Sequence, residues 1–131
     1  MLASMPAFSL RSPGELPLTF PTEVWEAMSM EYRAACESAQ SLLDAFGNDR
    51  TLGLRDARRR TAMGLDEALR GLEVLKGMDL IQIEPSENGP AITLRARPEG
   101  HVRITGLDGK LRWVFIARPL DEPDVDDSEL N

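Results

Sequence analysis

At Asp79–Leu80 the spacing of apolar residues changes period, and no other feature of the chain constrains its fold as much. Before this point the apolar residues recur at helical spacing. Trp25, Met28, Tyr32, Ala35, Ala39, Leu42 and Phe46 step by threes and fours, which predicts a helix over 22–46. Thr22 is its expected N-cap, and Gly47–Asn48 its stop. A second helix is expected over 51–63, where Leu54, Ala57, Arg58 and Thr61 share a face, with Gly64 as the break. A third is expected over 65–78, with Leu65, Ala68, Leu69, Leu72, Leu75 and Met78 turned inward and Asp66 and Glu67 favoured by the dipole of its first turn. Beyond Asp79 the period becomes two. Residues 80–84 and 91–97 flank the turn-forming run Pro85-Ser86-Glu87-Asn88-Gly89-Pro90, and 101–105 and 111–117 flank Asp108-Gly109. The reading is an α+β fold of three helices followed by two antiparallel hairpins, 80–97 and 101–117.

Charge is distributed in blocks. The net charge of −7 divides into −5 over residues 1–49, +4 over 50–118 and −6 over 119–131, so the acidic total hides a basic centre. Pro6, Pro13, Pro17 and Pro21 favour an extended arm over 1–21, the domain proper is expected over 22–118, and the acidic tail 119–131 is expected to stay solvated. One cysteine, Cys36, and one histidine, His101, leave no internal disulfide and no zinc site of the usual kind, so neither metal nor cofactor is expected. No apolar run approaches the roughly 20 residues of a membrane span, and the N-terminus lacks the pattern of a signal peptide. The expectation is a cytoplasmic protein with no membrane partner.

The stretch Leu54-Arg55-Asp56-Ala57-Arg58-Arg59-Arg60-Thr61-Ala62-Met63-Gly64, followed by Ala68 and then Leu72-Glu73-Val74-Leu75-Lys76-Gly77-Met78-Asp79-Leu80-Ile81, resembles a winged helix-turn-helix domain. It is similar to bacterial regulators of the MarR and GntR type over about residues 22–97. In those proteins a glycine usually turns the recognition helix into the wing. Asp79 stands there, and Asp tolerates left-handed backbone better than most residues. The resemblance implies double-stranded DNA as partner, with the third helix in the major groove. It places base-reading positions at Leu65, Asp66, Glu67, Arg70 and Gly71, with Arg70 suited to guanine and a carboxylate to cytosine. Arg55, Arg59 and Arg60 on the second helix and Arg95 and Arg97 on the wing become the expected phosphate contacts.

The seam Trp25, Met28, Tyr32, Ala35, Ala39, Leu42 and Phe46 serves either as an internal stripe or as the contact of a homodimer, and a homodimer is expected. The alternative to a dimeric transcriptional regulator is a winged helix that binds protein, through Asp66, Glu67 and Arg70 or through the acidic tail. Remaining candidates read as structural: His101 as a surface residue, Cys36 as a small buried one, Trp113 and Phe115 as core, and Gly106-Leu107-Asp108-Gly109 as a turn. No spacing of carboxylates, Cys and His suggests catalysis, so an enzyme is not expected.

Overall fold

A computed structural model describes residues 15–120. Residues 1–14 of the expected arm over 1–21 and residues 121–131 of the expected tail over 119–131 lie outside the described residues. Within 15–120 the chain is α+β, with four α-helices and two antiparallel sheets. The elements are α1 (Thr22–Glu26), α2 (Met30–Phe46), β1 (Thr51–Gly53), α3 (Leu54–Thr61), α4 (Leu65–Gly77), β2 (Ile81–Glu84), β3 (Ala91–Leu94), β4 (Ala96–Thr105) and β5 (Leu111–Pro119).

The expected first helix is two helices. Ser29 starts α2 afresh, its hydroxyl accepting from the Tyr32 amide at 3.1 Å, and a side-chain cap of this kind favours initiation over continuation. Pro21, not Thr22, precedes α1. Arg33 fastens the two pieces, donating to the Trp25 and Glu26 carbonyls that end α1. Gly47, at φ +56°, closes α2.

The start of the expected second helix is strand β1. Thr51, Leu52 and Gly53 pair with Thr93, Ile92 and Ala91, and Leu52 is buried. Three residues carry too little periodicity to be separated from the helix they lead into. Sheet order is β1-β3-β2. A left-handed Ala62 ends α3, and a left-handed Asp79, φ +61°, takes the chain from α4 to β2.

Ala96 and Arg97 belong to the second hairpin rather than the first. The amides of Arg95 and Ala96 both donate to the Leu80 carbonyl, at 2.7 and 3.3 Å, and there the chain leaves one sheet for the other. Strand β4 then pairs with β5 from Ala96–Pro119 to Thr105–Leu111, with an irregularity between Pro98 and Gly100.

The core lies between α2, α4 and the three-stranded sheet. It is built from Cys36, Ala39, Leu42, Leu43 and Phe46 of α2, Leu72, Val74 and Leu75 of α4, and Leu52, Leu80, Ile81, Ile92 and Leu94 around the strands. Gly71 is where α4 meets α2: a Cβ there would lie 2.9 Å from the Ala39 amide nitrogen. Leu18 plugs the core from the N-terminal side. Its amide donates to Gln40 Oε1 at 2.8 Å, and Gln40 in turn donates to Asp44 at 3.0 Å, so a buried amide side chain meets its hydrogen-bonding needs.

The β4–β5 hairpin is held on the same side. His101 lies between Phe20 and Phe115, with ring centroids at 4.9 and 5.1 Å, and its Nδ1 is 2.9 Å from the Thr19 carbonyl oxygen. Glu23 accepts from Trp113 Nε1 at 3.0 Å and from Arg103. The Trp113 bond, opposed by desolvation and helped by the Arg103 bond and charge, holds the Glu23 carboxyl below the usual carboxylate range. His101 is therefore half-buried, not a surface residue, and desolvation lowers its pKa although the Thr19 bond opposes the shift.

Candidate nucleic-acid interface

Helices α3 and α4 are joined by three residues, Ala62, Met63 and Gly64. Glu67 braces the start of α4 by accepting from the Gly64 amide at 3.3 Å, and Asp66 and Glu67 complement the positive end of the helix. Helix α4 buries the stripe Ala68, Gly71, Leu72, Val74 and Leu75 against α2 and the sheet. Its opposite face is open to solvent.

The expected DNA contacts fall into three groups. Arg55, Arg59 and Arg70 are exposed on the helix-turn-helix. Among the described residues Arg55 and Arg70 have no side-chain partner, while Arg59 pairs with Asp56 one turn earlier. Asp66 and Glu67 are exposed beside them. Arg60 points elsewhere: it donates to the Ala45 carbonyl at 2.8 Å and pairs with Asp49 at 3.2 Å, closing the C-terminus of α2.

The third group corrects the expectation of a basic wing. Arg97 lies in β4 and donates to the Gly47 carbonyl at 2.9 Å. Burial lowers its pKa, only partly offset by Asp44. Arg95 is exposed past the end of β3, where the neighbouring Leu94 amide bonds the Arg50 carbonyl. The loop between β2 and β3 lies at the other end of that strand, and with its flanks carries Glu84 and Glu87 and no base. Side-chain alternation located the arginines along the sequence but not the point at which the chain changes sheet.

Gly71 is also corrected as a base-reading position, because it is buried against α2. Conversely, Leu65 and Leu69, expected inside, are 45% and 46% exposed. A 13-residue helix contacts its neighbours along one stripe, and helical spacing alone does not fix the width of that stripe. Leu69 borders a shallow groove along α4 with Asp66, Arg70, Glu73, Lys76 and Ile83. A second groove, of about 490 Å³, lies between α2 and the α3–α4 turn, with Ser38, Ser41, Thr61, Glu67 and Arg70 on its walls.

The expected dimer seam is mostly spent inside the chain. Ala39, Leu42 and Phe46 are buried in the core. Trp25 and Met28 are half-buried on the far side of the Ser29 break, Ala35 is half-buried, and Tyr32 alone is exposed. The Cys36 thiol is buried and its pKa pushed up to about 11 by desolvation, then by Glu37. Among the described residues no helix is long and apolar enough to cross a membrane, and no cluster of His, Cys, Asp and Glu could hold a metal ion. Comparisons of the chain with protein families, with curated proteins and with solved structures return no match.

Proposed function

We propose that this chain binds double-stranded DNA as a transcriptional regulator, using α3 and α4 as the helix-turn-helix of a winged-helix domain. One observation carries the reading: a three-residue turn sets α4 on the surface with its N-terminal half open, and Arg55, Arg59 and Arg70 stand exposed on the two helices. The order helix, strand, helix, helix, strand, strand, with β1 added beside β3, supports it as scaffold. Helix α4 enters the major groove, Arg70 reads a base, and Arg55 and Arg59 hold phosphates.

Exposed leucines favour a second reading. Leu65 and Leu69 beside Asp66, Glu73, Lys76 and half-buried Ile83 make a mixed apolar and charged strip, which suits a protein partner better than a polyanion.

Fluorescence anisotropy on random duplex DNA over a range of salt separates the two. Under the DNA reading Arg55→Gln and Arg59→Gln each reduce the slope of log K against log salt by about 0.9. Arg70→Gln relaxes preference at one base pair by about 1–3 kcal/mol. Absence of binding at low salt, or arginine variants that bind like the parent, transfers the function to the protein-binding reading.

A further inference from the structure

Three arginines from three elements converge at the C-terminal end of α2. Arg60 of α3, Arg97 of β4 and Arg118 of β5 line one groove of about 1090 Å³, together with Asp44 and Asp49. Two of these arginines are placed by the helix end, Arg60 donating to the Ala45 carbonyl and Arg97 to the Gly47 carbonyl. The last carbonyls of a helix repel anions, and here two guanidinium groups cover them. This side of the groove is therefore cationic where a bare helix end would be negative.

Arg97 and Arg118 stand directly opposite one another in the β4–β5 ladder, so their side chains leave the same face. Like charges in that position destabilise an antiparallel pair. Burial lowers the Arg97 pKa, Asp44 opposes the shift, and Arg118 adds to it. The acids of the groove have other partners: Asp44 accepts from Gln40 at 3.0 Å, and Asp49 pairs with Arg60 at 3.2 Å. Arg118 is exposed and has no hydrogen-bond or ion-pair partner among the described residues. An anion placed between Arg97 and Arg118 relieves their repulsion.

We propose that this groove binds a small organic monocarboxylate, its carboxylate held between Arg97 and Arg118. A guanidinium fork matches the two coplanar oxygens of a carboxylate, and Arg97 keeps further N–H donors beside the one given to Gly47. Three arginines against two aspartates leave one positive charge in excess. That excess suits a single carboxylate, while Asp44 and Asp49 repel any second negative charge. Exposed Ser41 and Asn48 offer hydrogen bonds to the rest of the molecule. The groove has room for a body beyond the carboxylate. This proposal does not depend on DNA binding, because Arg55, Arg59 and Arg70 take no part in it.

The test follows the full chain by NMR as sodium acetate or sodium benzoate is added at about pH 7, where both are ionised, with sodium chloride holding the ionic strength constant. Saturable shifts are expected at the Arg97 and Arg118 side-chain N–H groups and at the Gly47 and Asn48 amides. Half-saturation should fall at about 1–10 mM, as suits so small a ligand. Arg118→Gln weakens binding at least about tenfold by removing one charged partner. Arg112→Gln, the same loss of charge beside Asp108 at the hairpin turn, binds like the parent. Inorganic phosphate at about pH 8, mostly a dianion, binds more weakly than either carboxylate. That comparison needs only the parent chain, so it stands even if Arg118→Gln does not fold. Shifts that fail to saturate or that chloride reproduces, full binding by a folded Arg118→Gln, equal weakening by Arg112→Gln, or tighter binding of phosphate overturns the proposal.

Discussion

Replacing Gly71 by alanine adds one methyl group at the closest approach of α2 and α4. The new Cβ would lie 2.8 Å from Leu42 Cδ1, 2.9 Å from the Ala39 nitrogen and 3.0 Å from the Ser38 carbonyl carbon. The leucine methyl can rotate away, but the two backbone atoms cannot, so the helices must separate. Overpacking of this kind costs about 1–3 kcal/mol, while exchanging glycine for alanine inside a helix returns about 1 kcal/mol. Gly71→Ala should therefore destabilise by up to about 2 kcal/mol net. Gly77, on the same helix, has nothing within 4 Å of its would-be Cβ, and Gly77→Ala should stabilise by about 0.5–1 kcal/mol. Urea unfolding of both variants checks the sign, and thermal unfolding should separate them by several degrees at roughly 4 °C per kcal/mol. Equal stabilisation by the two substitutions would refute the close helix–helix contact on which the placement of α4 rests.

Stability should fall on acidification as His101 takes up its proton. His101 is the chain's one histidine, and its folded pKa lies below 6.5. Its contribution is complete above that value and is lost as pH falls from there through the lowered folded pKa. Urea unfolding between about pH 8 and about pH 5 should show this slope, and His101→Gln should flatten it. Cys36, with its thiol buried and its pKa near 11, should resist iodoacetamide at neutral pH and react only as urea unfolds the chain. Leu18→Ala should cost about 2–5 kcal/mol, since Leu18 is fully buried and keeps its amide bond to Gln40; a loss below about 1 kcal/mol would mean the segment before α1 is not docked.

The parts of this fold written in local chemistry are readable from residues alone. The change of period at Asp79, its left-handed backbone, Gly47 as a stop and Asp108-Gly109 as a turn all depend on near neighbours. What depends on distant contacts is not readable in this way. Ser29 divides an unbroken apolar stripe because a capping hydroxyl and an arginine reaching back to α1 outweigh periodicity. β1 is a strand only because β3 lies beside it. His101 is identified as a packing residue by Thr19 and Phe20, 82 and 81 positions away. In the candidate interface, Arg55, Arg59 and Arg70 stand exposed as their helical positions imply, whereas Arg60 and Arg97 are diverted by the carbonyls at the end of α2. A count of arginines does not reveal that diversion.

Amide chemical-shift mapping on the labelled protein, titrated with a random DNA duplex at low salt, tests the proposed function most directly. The account predicts that perturbations concentrate on α3 around Arg55 and Arg59 and on the first half of α4 from Leu65 to Arg70, and that they shrink as salt is raised. An unchanged spectrum at saturating DNA, or perturbations confined to β4 and β5, would contradict it.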